Sequence, residues 1–499
     1  MKMKSVVILF LSTIISIPLF AQESNIFHDR KFWKQNPSVE TIEKHIAQGN
    51  DITSLNSNAF DAVSWALIEK TDNATIKYLL DKKDNGVNKL THDGRTYIFW
   101  AAYKDNIEMM QYLVDKGAKT DIVDSHGYSV LNFAATTGQL NAKLYDFIFK
   151  HGADITKEKS HNGANALLLV APFLNNFELV DYFISKGADL NTTDNNGNGI
   201  FNYAAKGGNL DFLQQLINKG ITYKKSNNVG GNAIIMASQG TRGKQNTIEV
   251  YKFLENKGLK INVVGAEGRN PLHNIAYRSK DLTLIQYLID KGIDVNKQDA
   301  EGYTPFINAS NSNSIEVVKT LYNYVDDINK KDNDGRSALT KALNRNKTDV
   351  VKFLIEKGGD INVKDKEGNS LMYYLINAFR ANAPEAFEAK FEVLKSAGLD
   401  LTETQGNGKT LYHLAVEKSN LELLKRIGKL EIDINKKNGD GLTALHLAAM
   451  KAKNQEILMY LISQGADKTV KTEFEESVYD LAMENEILQK NEIDISFLK

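Results

Sequence analysis

Short apolar runs at helical spacing recur along the whole chain, separated by polar segments that carry glycine. Between residues 246 and 257, Ile248, Tyr251, Phe253 and Leu254 line up as one apolar stripe, which predicts an amphipathic helix. Gly258 follows, just past the predicted C-terminus, where a left-handed backbone conformation costs glycine little. A second kind of segment, such as Phe99-Trp100-Ala101-Ala102 or Leu445-His446-Leu447-Ala448-Ala449, predicts a short helix with small residues on its packing face.

The glycines set the period. One set stands at 94, 127, 163, 197, 231, 268, 302, 335, 368, 408 and 441, with most intervals 33 or 34. A second set follows the longer helices, in Lys116-Gly117-Ala118, Lys186-Gly187-Ala188-Asp189-Leu190-Asn191, Lys291-Gly292-Ile293-Asp294-Val295-Asn296 and Gln464-Gly465-Ala466-Asp467. Two glycines at fixed phase mark two fixed turns per period. No unit of this size buries both its helices alone, so neighbours must stack and the core becomes a continuous seam. The array starts near residue 57, because Ser64-Trp65-Ala66-Leu67 sits one period before Phe99-Trp100-Ala101-Ala102. It fades around Val478-Tyr479-Asp480-Leu481-Ala482. Ser38 to Gly49 reads as a lone capping helix.

The segments Glu267-Gly268-Arg269-Asn270-Pro271-Leu272-His273, Glu301-Gly302-Tyr303-Thr304-Pro305 and Asp440-Gly441-Leu442-Thr443-Ala444-Leu445-His446 resemble the ankyrin repeat, whose pattern is Asp-x-x-Gly-x-Thr-Pro-Leu-His-x-Ala-Ala and, after a second helix, Gly-Ala-Asp-x-Asn. The resemblance implies an all-α repeat solenoid with hairpin-like turns. It has about 12–13 units in a curved array, on the order of 110–130 Å along its path at the usual helix-packing distance. The expected organisation is a signal peptide over 1–21, a linker and capping helix over 22–56, the array over 57–485 and a tail over 486–499. Individual units depart from the pattern: its proline occurs only as Pro271 and Pro305, and its histidine only as His273, His413 and His446.

Composition adds limits. Hydrophobic residues make up 42% and charged residues 25%, enough apolar side chain for a folded core. Lys and Arg number 61 against 62 Asp and Glu, so no basic excess exists to neutralise a phosphate backbone, and nucleic acid is not an expected partner. There is no cysteine, so neither a disulfide nor a lipidated N-terminal Cys is available. At the N-terminus, Lys2 and Lys4 precede an apolar stretch from Ser5 to Phe20 interrupted by Pro18, which predicts a secretory signal cleaved after Ala21. The leader's ending and the Lys/Asn-rich composition resemble exported proteins of Gram-negative bacteria of the Bacteroidetes type. A periplasmic or secreted monomer is expected, with no membrane span after cleavage.

Candidate chemistry is sparse. His273, His413 and His446 fall in different units with no paired carboxylate in phase, and the resemblance implies that they bond backbone of adjoining turns; no metal is expected there. Asp and Asn of the Gly-x-Asp-x-Asn segments read as turn and cap residues. Asn196-Gly197-Asn198-Gly199 lacks the lysine and helix register of a phosphate loop. No catalytic residue and no cofactor are expected. Repeats and caps fill roughly residues 37–485, too much to leave room for an attached enzyme domain.

In this family the hairpin tips and the exposed side of the first helix line the concave surface. The matching positions here include Arg269, Tyr277, Arg278, Tyr303, Arg336 and Arg345, and nearer the N-terminus Arg95, Tyr103, Lys104, Tyr128 and Phe173. Tyr and Arg are favoured at interface hot spots. Two longer intervals supply secondary candidates: 37 residues from Gly231 to Gly268, with Arg242 in the excess, and 40 from Gly368 to Gly408, with Arg380. The expected function is a non-catalytic scaffold for a protein partner. The alternatives are a small-molecule or glycan receptor, and a metal-dependent hydrolase built from scattered His and Asp.

Overall fold

The computed structural model describes residues 25–499, so the leader expected over 1–21 lies outside the described residues. Helical pairs follow one another along the chain. A short cap comes first: Arg30–Trp33 and Val39–Ala47, preceded by a single turn at Ile26–His28. The capping segment is thus a degenerate pair, because Phe27, Phe32 and Trp33 supply a small aromatic cluster that buries the shorter helix against the first full unit.

The chain divides into two compact parts at Asn195/Asn196. In the first, four pairs run from Ala62–Glu69 with Asn73–Leu80 to Ala166–Val170 with Glu178–Ser185. In the second, nine pairs run from Ile200–Gly207 with Leu210–Asn218 to Val478–Met483 with Glu486–Lys490. Within each part, first helices of successive pairs pack side by side, and second helices pack on their own first helices in every pair but that of Ala166–Val170 and Glu178–Ser185. Residues 486–499, read from the sequence as a tail, contain the last second helix and a closing turn at Ser496–Leu498, and bury Leu488 and Leu498.

Local chemistry explains where the helices start and stop. Ser129 and Thr304 accept a hydrogen bond at their first turns, from the amides of Asn132 and Ile307. In the turn between units, the Asp124 amide donates to the Tyr128 carbonyl while its carboxylate accepts from the amides of His126 and Tyr128, all at 2.9 Å. Asp299 and Asp332 repeat this arrangement. Asn227 does the same two units earlier than Asp299, which makes Gly230, at φ 83°, the turn glycine in place of the expected Gly231. The adjacent Gly-Gly pair hid the phase, and the lengthened interval becomes 38 residues. No strand occurs among the described residues; the turns are hairpin-like with isolated bridges only, as at Val123 and Ser129.

Consecutive turns are joined by backbone. In the second part, the amides of Asn228, Ala300, Asn333, Lys366 and Gly439 donate to the carbonyls of Asn196, Glu267, Glu301, Asp334 and Asn407, each one unit earlier, at 2.7–2.9 Å. No such rung joins Ala266 to Val229, and the Gly406 amide turns instead to the Asn369 side chain. Both gaps fall in the two lengthened units.

Those units absorb their extra residues differently. After Ala233–Gln239, a tight turn bridges Thr241 to Lys244. After Leu371–Asn377, a loop reaches Pro384, which starts a second helix of 13 residues, against 8 or 9 in most other full units.

Candidate interaction surface

The motif histidines are buried, with at most 2% of their surface exposed. His413 Nδ1 accepts the Thr410 amide at 3.1 Å, and Nε2 donates to the Leu442 carbonyl of the next turn at 2.9 Å. His446 joins Thr443 to Val470 and His273 joins Asn270 to Tyr303 in the same way. Burial, the largest influence, lowers the pKa of all three below the usual histidine value. They are unit-to-unit staples in neutral form. Asn132 occupies the equivalent place in another unit, and its carboxamide is buried with no partner.

The tip residues form a second group. Arg269 Nε donates to Asp299 at 3.0 Å and its Nη1 reaches Glu267 at 3.1 Å, so the side chain clamps one turn to the next. Arg336 Nε donates to Asp332 at 2.9 Å, and Nη2 pairs with Asp334 and reaches the Tyr303 hydroxyl at 3.3 Å. Lys341 Nζ donates to that hydroxyl at 2.7 Å and lies 3.2 Å from Asp332. Arg95 departs from its expected outward position. It is buried, bridges Asp93 and Asp124, and packs over the Phe133 ring at 4.3 Å, because the Asp124 carboxylate is wholly enclosed and draws the guanidinium inward.

The third group sits at the C-terminal ends of first helices. Arg278 and Arg345 are exposed; Tyr277 is half-buried, with the Arg278 guanidinium 6.0 Å from its ring centre. In the first part, Tyr103 is half-buried at such an end with Lys104 4.8 Å from its ring, whereas Tyr128, also half-buried, lies with His126 in the turn at Asp124. Phe173 is also half-buried and closes over Gly138.

Three polar residues that sequence reasoning missed shape this surface. Lys341, at the packing position that Trp100 and Tyr374 fill in other units, is a charge at a core-periodic site, and that mismatch was the available signal. Lys206 is half-buried, and its pKa is lowered first by burial and then by Arg278. Lys390 donates to the Leu343 carbonyl at 2.7 Å, and burial pushes its pKa down to about 8.

Among the described residues, no group of three or more His, Asp or Glu is disposed to hold a metal ion, and no helix is long and apolar enough to cross a membrane. One small cavity, lined by Ile98, Met110, Leu131, Phe147, His151 and Glu158, has room for about one water molecule.

Comparison with known proteins gives repeats over most of the chain. The model described as "Ankyrin repeats (3 copies)" matches residues 35–124, 63–159, 243–332 and 375–472; "Ankyrin repeats (many copies)" matches 168–217, and "Ankyrin repeat" matches 334–366. Relatives include the ankyrin repeat protein OPG189 of Variola virus, 26% identical over 30% of this chain and 28% of its own length. Others are the putative palmitoyltransferase ZDHHC13 of Danio rerio, 24% identical over 40% of this chain and 31% of its own, and the phosphocholine transferase AnkX of Legionella pneumophila, 27% identical over 37% and 19%. The matched stretch is less than a third of each of these relatives.

Proposed function

Because this chain belongs to the ankyrin-repeat family, we propose that it is a non-catalytic scaffold that binds a protein partner across the face made by its first helices. One observation carries the reading. The polar groups with chemical potential, His273, His413, His446, Arg95, Arg269 and Arg336, are engaged in joining units, whereas Arg278 and Arg345 stand exposed at first-helix ends two units apart, with Tyr277 half-buried beside Arg278. Repeat arrays use such extended faces for binding, and Tyr and Arg are favoured where a few contacts dominate affinity.

The names of two relatives are those of transferases, but the shared stretch is a minor fraction of each, and the repeats are what it contains here. We further propose export to the periplasm or the outside, on the leader-like pattern of residues 1–21; N-terminal sequencing of the protein from its native compartment should begin at Gln22.

The scaffold reading is tested by affinity capture from envelope extracts with the parent chain and a Tyr277→Ala/Arg278→Ala/Arg345→Ala variant. A stoichiometric protein lost with the variant, at unchanged thermal unfolding, supports it. Equal capture by both chains removes this face from the function.

A further inference from the structure

The arginines divide into two classes. Arg30, Arg95, Arg269, Arg336 and Arg426 each hold at least one carboxylate, of Glu69, Asp124, Asp299, Asp332 and Glu388 respectively. The remaining arginines, Arg242, Arg278, Arg345 and Arg380, are all exposed and pair with no carboxylate among the described residues. All four lie at one place in the fold, at or just past the C-terminal end of a first helix in the second part of the chain.

The helices that carry them contain no acid. Ile200–Gly207, Ala233–Gln239, Pro271–Arg278, Pro305–Ser312, Ala338–Arg345 and Leu371–Asn377 hold neither Asp nor Glu, and the segments 208–209, 240–247, 279–280, 313–314, 346–347 and 378–383 that follow them hold none either. The first acids beyond, Asp211, Glu249, Asp281, Glu316, Asp349 and Glu385, belong to the first turns of second helices, where Asp281 and Asp349 accept hydrogen bonds from the amides of Leu284 and Val350. In a chain of formal net charge −1, a run of six units whose edge holds no acid, and in which five carry Lys or Arg while that of Pro305–Ser312 carries neither, is a local segregation of charge.

The helix ends are fixed side by side. Asn246 donates to the carbonyls of Ala205 and Lys206, Asn313 to those of Ala276 and Ser279, and Asn346 to those of Ala309 and Ser310. Lys244 Nζ reaches the Gly207 carbonyl at 3.2 Å, and Lys206 feels the charge of Arg278 two units away. Cations do favour helix C-termini through the macrodipole, which accounts for their sign. It does not account for the absence of carboxylate partners here, when every other arginine in the chain has one.

We propose that this edge binds an acidic, extended polypeptide segment of the scaffold's partner, with carboxylates in step with the units that carry a cation. Helices pack about 8–10 Å apart, and a strand advances about 3.3 Å per residue, so acids at every third position of an extended peptide keep the interval of the units. A nucleic-acid strand carries charge more densely, about one per 3.4 Å along a duplex strand, and would leave most phosphates unmatched. Guanidinium groups take carboxylates in bidentate pairs, and the exposed setting makes the attraction sensitive to salt.

The inference rests on the scaffold reading, and its test is separate. A fluorescein-labelled (Glu-Ser-Gly)5 peptide is titrated into the full chain by anisotropy at low ionic strength, beside a (Gln-Ser-Gly)5 peptide and a labelled dT15 oligonucleotide. The acidic peptide alone should bind, with affinity falling at least 10-fold in Arg278→Ala/Arg345→Ala and less than 2-fold in Lys252→Ala/Lys352→Ala, which removes equal charge from second helices. Absence of acidic-peptide binding, equal losses in the two variants, or tighter binding of the oligonucleotide overturns the inference. If a captured partner still depends on Tyr277, Arg278 and Arg345 in that case, the scaffold reading survives; if capture depends on neither, both fall.

Discussion

At the scale of single residues, like side chains do unlike work. Arg95 and Arg278 both stand at motif-phased positions, yet Arg95 is enclosed against Asp124 and Phe133 while Arg278 is free at a helix end. Removing the guanidinium from Arg95 leaves a fully enclosed Asp124 carboxylate without its cation, which costs about 3–5 kcal/mol. Arg278→Ala should change stability by less than about 0.5 kcal/mol. Urea unfolding of the two variants measures the difference directly.

The histidines make a second residue-scale prediction. Burial holds His273, His413 and His446 neutral in the fold, while the unfolded chain takes up protons below about pH 6.5. Their contribution is therefore complete above that pH and is lost as pH falls below it, by at most about 1.4 kcal/mol per pH unit for each histidine. The midpoint of urea unfolding should drop between pH 7.5 and pH 5.5, and a His413→Ala/His446→Ala variant, less stable at pH 7.5, should show a flatter dependence.

At the scale of elements, the turns decide register. Gly302 has φ +82°, and a Cβ there would lie 2.6 Å from the Asn333 amide nitrogen and 2.9 Å from the Asp332 Cα, which are backbone atoms of the next turn. Gly302→Ala should therefore cost more than the roughly 1 kcal/mol of left-handed strain alone, and chemical denaturation would show it; a cost below that means the turns can separate without penalty. Periodicity made the helices and most turns legible in the sequence, because one apolar stripe and one glycine recur in each unit. It failed where two glycines stood together at Gly230-Gly231 and where the short Arg30–Trp33 helix had no repeat to match. The candidate positions were legible, but not their pairing: motif phase locates Arg269, Arg336 and Arg345, and only the folded turns place carboxylates beside the first two.

At the scale of the whole molecule, stability in such arrays is built from nearest-neighbour interfaces. The backbone rungs give that a measurable form within the second part of the chain. Amides of Ala300, Asn333 and Lys366 should exchange hydrogen slowly and together, while Ala266, which has no rung, should exchange fast. Uniform protection across all four would mean that the lengthened units do not interrupt the array.

The rungs also bear on how the surface is read. They run unbroken from the turn at Glu267 to the one at Lys366, across the units that carry Arg278 and Arg345, and stop at the lengthened units that carry Arg242 and Arg380. The middle pair of charges is held like marks on a ruler, at an interval that thermal motion cannot easily stretch. The outer pair sits beyond a joint on either side. A ligand longer than that central span would be gauged against the rigid interval first, with the flanking arginines free to follow its ends.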